Sequence, residues 1–421
     1  MMADDRDGPE VVTFGCRLNM VESEVIRALA RQGGEKGVVV VNTCAVTAEA
    51  TRQARQAIRR LAREKPDARI VVTGCAAQVA PETFAAMAEV AHVMGNAEKT
   101  IATSWDHFAA RENVAPVAQA RRGNAPAPLL AAIEGHTRAF LAVQNGCDHA
   151  CTFCVIPQGR GPSRSVAEDD VVAQARRFVE TGHSELVLTG VDLTSWGADL
   201  AGAPKLGGLV RRLLRELPAL PRLRLSSIDC IEADDDLVAA FAGEERLTPY
   251  LHLSLQSGDD LILKRMKRRH SRAQAVEFCA NLRDKRPDMA FGADLIAGFP
   301  TEDEDSAARS RALVEDCGLA FLHVFPFSAR PGAPAARMKP VPAATIKARA
   351  AALRAEGDKA LERHLALQVG RRIQILSERG GMGRSADFTP VKTFDAAPGR
   401  LFEAQVAGFS AGSLDITADS S

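Results

Sequence analysis

The sequence of 421 residues has no net charge, with 53 Lys and Arg against 53 Asp and Glu. That excludes a histone-like or wholesale polybasic binder, but leaves room for a local basic face. No window holds the roughly 18 consecutive apolar residues of a membrane span. The opening stretch, Met1 to Asp7, is acidic and polar and lacks the basic and apolar regions of a secretory signal. A cytoplasmic protein with no membrane partner is therefore expected. Composition shows no bias: 46% apolar and 25% charged are ordinary globular values. The length suggests about three domains and a sizeable core without staples. Nine cysteines are present. Disulfides are not expected in such a compartment, so an odd, clustered set points to metal ligation or catalysis.

The first stretch alternates strands and helices. Val11–Phe14, Val38–Val41 and Ile70–Val72 read as strands; 22–31 and 48–64 read as helices, stopped by Gly33-Gly34 and Pro66. Alternation of this kind predicts βαβ units and an open parallel sheet. Cys16, Cys44 and Cys75 each fall just past a strand, about one βαβ unit apart. Strand carboxyl ends share one edge of a parallel sheet, where ligands bind. Three distant thiols are thus expected to converge, although buried small cysteines would also suit the composition. An Ala/Pro/Gly-rich stretch around 115–128 reads as a linker. The expected division is a cluster domain over 9–118, a linker over 119–132, a core over 133–364 and a tail over 365–421.

The core alternates again. Strands are expected at Phe140–Gln144, Glu185–Thr189, Leu223–Ser227, Tyr250–Leu255, Phe291–Ile296 and Phe321–Phe325, with helices between. Six βα repeats predict a partial (βα)6 barrel whose site lies at the strand carboxyl ends. A long helix over about 343–367 follows. The tail reads as a small all-β barrel or sandwich, with strands near 371–377, 388–394, 401–409 and 413–417. The overall class is α/β.

The most specific signal is Asn145-Gly146-Cys147-Asp148-His149-Ala150-Cys151-Thr152-Phe153-Cys154, a CxxxCxxC run directly after the first barrel strand. Three thiolates on one loop suit a 4Fe–4S cube with one iron left open. Zinc held by the three cysteines and His149 is the competing reading.

CxxxCxxC at the mouth of a partial barrel resembles the radical S-adenosylmethionine superfamily. Val155-Ile156-Pro157, Arg160-Gly161 and Ser163-Arg164-Ser165 resemble its methylthiotransferase family. So do Gly15-Cys16, Asn19, Asn42-Thr43-Cys44, Gly74-Cys75, 185–192 (ELVLTGVD), 252–258 (HLSLQSG), 294–300 (DLIAGFP) and 323–332 (HVFPFSARPG). The tail, with Gly383-Arg384-Ser385 before Phe388 and Val391, resembles an RNA-binding TRAM module. The resemblance implies two 4Fe–4S clusters. One, on Cys147, Cys151 and Cys154, binds S-adenosylmethionine, whose reductive cleavage gives a 5′-deoxyadenosyl radical. The other, on Cys16, Cys44 and Cys75, delivers sulfur. A second S-adenosylmethionine supplies the methyl group. An electron donor such as flavodoxin or ferredoxin and a sulfur donor are implied as partners.

Within that family the text 42–47 (NTCAVT), 52–60 and 225–228 most resembles the subfamily acting on threonylcarbamoyladenosine in tRNA. The alternatives are isopentenyladenosine in tRNA and an aspartate of a ribosomal protein. A non-catalytic iron–sulfur binding protein is the reading outside enzymes. Thr189, Gly190, Ser226, Ser227, Gln256 and Gly298 end barrel strands and are candidates for binding S-adenosylmethionine; a turn or a satisfied loop polar group is the plainer reading of each. Catalytic residues beyond the cluster ligands are not named by the sequence. For RNA, Arg52, Arg55, Arg59 and Arg63 recur on one helix face; Lys264, Arg265, Lys267, Arg268 and Arg269 form a second cluster. Arg160 and Arg164 flank the cysteine loop and are candidates for a phosphate. A solvated helix face is the plainer reading of the two basic clusters. Cys230, Cys279 and Cys317 have no motif spacing and read as packing residues.

Overall fold

The computed structural model describes residues 9–34, 36–105, 130, 132–133, 136–394 and 396–417. The linker expected over 119–132 lies, but for Leu130 and Ala132, outside the described residues.

Four parallel strands open the chain: β1 (Glu10–Thr13), β2 (Val38–Thr43), β3 (Arg69–Gly74) and β4 (His92–Val93), paired in that order. The crossovers are α1 (Arg17–Gln32) and α2 (Ala48–Glu64); the short α3 (Cys75–Val79) and α4 (Pro81–Ala85) follow β3. All of β2 is buried, as a strand covered on both faces must be. α2 begins at Thr47, whose side chain accepts from the amide of Ala50, and buries Ala54, Ala57, Ile58 and Leu61. α1 buries Leu18, Val21, Val25, Ile26 and Leu29, one apolar stripe at helical spacing.

The central unit contains β5 (Ala139–Ala142), β6 (Gln144–Asn145), α5 (Ile156–Arg160), β7 (Arg164–Ser165), α6 (Glu168–Glu180), β8 (Glu185–Thr189), α7 (Leu206–Glu216), β9 (Arg222–Leu225) and β10 (Ser227–Ile228). It continues with α8 (Asp235–Gly243), β11 (Tyr250–Gln256), α9 (Asp260–Met266), α10 (Arg272–Lys285), β12 (Ala290–Ala297), α11 (Glu304–Asp316) and β13 (Leu319–Pro326). β5, β8 and β9 pair in parallel, as do β10, β11, β12 and β13. β9 and β10 are one strand interrupted at Ser226, so the expected six-strand partial barrel is present. The stripe of α1 shares one core with this barrel, packing with Phe140 and Leu141.

α12 (Ala343–Ala366) runs along β13 and ends in the tail, where Leu361 and Leu365 join a small separate core. The tail is a closed barrel of β14 (Arg372–Ser377), β15 (Met382–Ser385), β16 (Pro390–Lys392), β17 (Leu401–Ser410) and β18 (Ser413–Ile416). Its β15 has no counterpart among the expected strands. Gly380, Gly381 and Gly383 depress strand propensity there, yet a Cβ on Gly383 would stand 2.6 Å from the Thr393 methyl. The glycine is needed for that close approach.

Candidate functional site: two neighbouring sets of three cysteines

The open sheet brings Cys16, Cys44 and Cys75 to one edge. Cys16 caps α1, Cys44 follows β2, and Cys75 opens α3. Glycine makes the approach possible. A Cβ on Gly15 (φ +99°) would stand 2.8 Å from the Cys44 sulfur, and one on Gly74 (φ +95°) 2.3 Å from the Thr43 carbonyl oxygen. Asn19 Nδ2 donates to the carbonyls of Phe14 at 2.7 Å and Thr43 at 3.1 Å, tying the first two loops together. Thr43 Oγ1 donates to Thr73 O at 2.6 Å, tying the second to the third. Burial first, with Cys75 and Cys16 adding to it, pushes the Cys44 thiol up to about 11.

The second set sits on the loop between β6 and α5. Its sulfurs collect N–H donors: His149 N to Cys147 Sγ at 3.4 Å, Ile156 N to Cys154 Sγ at 3.4 Å, and Arg268 to Cys151 Sγ at 3.8 Å. Burial first, then Asp192, pushes Cys147 up to about 12; burial pushes Cys154 up to about 11. As thiols these groups hold their protons, and loading a metal centre must displace them. All six cysteines are free of disulfides. Three thiols in each set, the second ringed by amide and guanidinium donors, fit the anionic sulfurs of a 4Fe–4S cluster with one open iron.

A Cys₃His zinc site fits less well. His149 Nε2 lies 2.8 Å from Asp192 and 3.5 Å from Glu232, and Asp192 leads in raising its pKa to about 10.

The two sets are neighbours. α5 packs directly on α3, and a Cβ on Gly159 would stand 3.3 Å from that of Cys75. Asn96 Nδ2 bridges them, 2.5 Å from Gly159 O and 3.6 Å from Cys75 Sγ. Beneath lies a buried ion cluster. Arg160 donates to Glu22 Oε1 at 2.8 Å and Oε2 at 3.0 Å, to Asn145 Oδ1 at 2.9 Å and to Asn19 Oδ1 at 2.5 Å. Lys99 Nζ reaches Glu22 Oε2 at 2.7 Å. Burial opposes ionisation of Glu22, but Arg160 and Lys99 outweigh it and hold the carboxyl at about 2.

These contacts correct two expectations. Arg160, expected at an RNA phosphate, is 2% exposed with its charge directed at Glu22, Cys75 and Cys16. Arg268, expected in the second basic cluster, is mostly buried on Asp229 at 2.9 Å and Ser254 O at 2.6 Å. Arg269 is half-exposed but pairs with Glu232, and its guanidinium lies beside the His149 ring. Arg164 is half-buried and caps the carbonyls of Pro162 and Arg160. Lys264 and Lys267 are exposed; Arg265 donates to Thr301 Oγ1 at 2.7 Å. On α2, Arg52, Arg59 and Arg63 are exposed, Arg52 pairing with Glu49 and Arg59 standing 4.0 Å from Glu89. Arg55 departs from that face: it is half-buried and its Nε has no partner.

The strand-end candidates ring the cysteine loop unevenly. Thr189 is buried, its hydroxyl returning to Val187 O. A Cβ on Gly190 would stand 2.9 Å from Gln144 Oε1. Ser226 Oγ is buried without a partner among the described residues, an orphan suited to a ligand, and Ser227 opens β10. Gln256 (φ +69°) and Gly298 (φ +75°) occupy left-handed turns at the ends of β11 and β12. A Cβ on Gly298 would meet the Ile346 side chain at 2.5 Å, so that glycine serves packing of α12. Gln144 and Asp192 escaped the sequence reading. Gln144 Oε1 accepts from the amides of Val191 and Asp192, both at 2.9 Å, while its Nε2 donates to Gly146 O and Ser163 Oγ. It locks the 190–192 turn to the cysteine loop. A glutamine ending the first barrel strand was its one signal.

Comparison with known proteins agrees with this geometry. Residues 141–314 match the Radical SAM superfamily, and residues 10–95 match "Uncharacterized protein family UPF0004". The chain is 45% identical over 404 residues to the threonylcarbamoyladenosine tRNA methylthiotransferase MtaB of Rickettsia prowazekii, covering 96% of each. The chain belongs to the radical S-adenosylmethionine methylthiotransferases. Its MtaB relative from Bacillus subtilis is 33% identical, with 78% of this chain and 75% of the relative covered. A tRNA-2-methylthio-N(6)-dimethylallyladenosine synthase of Cereibacter sphaeroides is 32% identical over 96% and 97%. In structure, the methyltransferase TsrM of Kitasatospora setae shares the fold (TM-score 0.52, 14% identity, 74% of this chain and 66% of that one). As a member of this family the methylthiotransferase uses S-adenosylmethionine and two 4Fe–4S clusters. Among the described residues no helix is long and apolar enough to cross a membrane.

Proposed function

We propose that this methylthiotransferase adds a methylthio group to C2 of N6-threonylcarbamoyladenosine next to the anticodon of tRNA. The observation that carries the reading is the contact of two three-cysteine sets, each one ligand short of a sealed cluster, in a chain so similar to an enzyme named for that substrate. Cys147, Cys151 and Cys154 would hold the cluster that binds S-adenosylmethionine, and Cys16, Cys44 and Cys75 the one that carries sulfur. Bound there, the first supplies reductive cleavage of S-adenosylmethionine and the second supplies the transferred sulfur. Gln144 orients the 190–192 turn, Ser226 offers an unspent hydroxyl to the cofactor, and Asn96 spans the two loops.

Three exposed arginines of α2, with Lys264, Arg265 and Lys267, are the candidates for tRNA phosphates. A flavodoxin- or ferredoxin-like reductant would supply electrons, a separate donor would restore sulfur, and the setting is cytoplasmic. Incubating reconstituted enzyme, S-adenosylmethionine and dithionite with tRNA carrying threonylcarbamoyladenosine tests the reading. Nucleoside mass spectrometry should show the methylthio product; methylthiolation of dimethylallyladenosine instead would refute it.

A further inference from the structure

Arg17 follows Cys16 directly and is the first residue of α1, where no acidic residue occupies the first turn. A cation at a helix amino end opposes the macrodipole, so stability does not explain its place. Its guanidinium lies 6.0 Å from the ring centre of Phe140 and 5.8 Å from that of Phe388. Among the described residues it has no hydrogen-bond or carboxylate partner. Among the described residues, the two acids that pair with the arginines around it are already committed. Glu185 is held by Arg224 at 2.7 and 3.1 Å, with Arg222 at 3.6 Å. Glu378 is held by Arg138 at 2.9 Å, with Arg384 at 3.7 Å. An arginine is charged at neutral pH whatever its neighbours.

The surroundings are polar beyond these arginines. Tyr250 stacks on Phe388 at 5.0 Å and lies 3.0 Å from His252 Nδ1. His252 Nε2 and His323 Nδ1 donate to Asp294 Oδ1 at 2.8 and 3.2 Å, and the His323 side chain is 63% exposed.

A half-buried guanidinium with no counter-charge of its own among the described residues, still open to solvent, is suited to an anion. Among the described residues Arg17 makes no hydrogen bond to a cysteine sulfur, whereas Asn96 Nδ2 stands 3.6 Å from Cys75 Sγ. A dimethylallyl group is hydrocarbon and would leave the charge desolvated. A threonylcarbamoyl group carries a carboxylate, with a hydroxyl and ureido amides suited to the Tyr250–His323 row. We propose that Arg17 receives the threonyl carboxylate of the tRNA base and so selects threonylcarbamoyladenosine over adenosines with uncharged N6 groups. This rests on the substrate reading above and adds the residue that enforces it.

The test uses cluster-loaded full-length enzyme and three anticodon stem-loops: threonylcarbamoyladenosine, its methyl ester, and dimethylallyladenosine. Both Kd and kcat/KM are measured, with iron content alongside. Wild-type enzyme should prefer acid over ester by roughly 10²-fold, and Arg17→Met should lose most of that ratio through the acid alone. Arg17→Lys, which keeps the charge but not the fork, should retain about a tenth of the preference. An unchanged acid-to-ester ratio in Arg17→Met, or a wild-type ratio near 1, overturns the proposal. The wild-type ratio still decides if Arg17→Met fails to hold its clusters. A wild-type enzyme that methylthiolates only the dimethylallyl stem-loop brings down the substrate reading itself.

Discussion

Glu22→Gln is the sharpest perturbation of the joint between the two cysteine loops. The change is nearly isosteric but removes the one carboxylate shared by two buried cations, Arg160 and Lys99. Lys99 is fully buried, and Arg160 is 2% exposed. Breaking a buried pair leaves uncompensated charge and costs about 3–5 kcal/mol. At roughly 2–4 °C per kcal/mol for a unit of 150–250 residues, the first thermal transition should fall by about 6–20 °C. Anaerobic calorimetry of reconstituted enzyme measures it, read as a first transition because a multidomain chain need not unfold in one step. Adding Lys99→Met should recover part of the loss, since it removes one orphan cation. Functionally, cleavage of S-adenosylmethionine should persist, because the CxxxCxxC loop keeps its own donors. Product formation should fall further than cleavage, since Arg160 joins α5 to α1. A Glu22→Gln enzyme melting within about 2 °C of the parent would show that the cluster is not a joint but a locally tolerated ion.

Other outcomes follow from the same geometry. Reconstitution should give about eight iron atoms per chain. Replacing Cys147, Cys151 and Cys154 with Ala should halve the iron and end S-adenosylmethionine cleavage, while replacing Cys16, Cys44 and Cys75 should halve the iron and spare cleavage; loss of all iron from both variants contradicts two separate sites. Arg59→Glu with Arg63→Glu should weaken tRNA binding and flatten its salt slope by roughly 1.4–1.8 units if both arginines meet phosphates, and an unchanged slope makes that face mere solvated surface. Because Glu22 is depressed to about 2, the unfolded chain binds the extra proton first on acidification. Its stabilising contribution is full above the ordinary carboxylate value of 4.5 and is lost as pH falls toward about 2; chemical denaturation across that window should show a steeper decline than in Glu22→Gln. Deleting the tail from Gln368 should destabilise the barrel as well as weaken tRNA binding. Arg222 donates to Gln374 O at 2.6 Å and Arg224 to Ala386 O at 3.0 Å, and both would be left buried without those acceptors. A truncated barrel with unaltered melting would refute that docking role.

The architecture was legible in one dimension, as was the gathering of Cys16, Cys44 and Cys75 at one sheet edge. Apolar runs of branched residues bounded by Gly and Pro specify strands, and alternation with helical stripes specifies parallel sheets. Placing Cys16, Cys44 and Cys75 after strands then fixes their shared edge without any knowledge of packing. Such periodicities are local and survive in one dimension. What the tertiary structure decided is the fate of individual charges. Arg160 and Arg268 read as surface cations because nothing in the sequence marks Glu22 or Asp229, 138 and 39 residues away, as their partners. Arg55 shares the spacing of Arg52, Arg59 and Arg63, but only packing shows its Nε buried. Arg17 is the converse: an ordinary residue beside a cysteine, left unpaired because Glu185 and Glu378, far along the chain, are taken by other arginines. A charge's role depends on which counter-charges the fold brings within a few ångströms, and in a chain with equal numbers of both signs that assignment is made only by the three-dimensional arrangement.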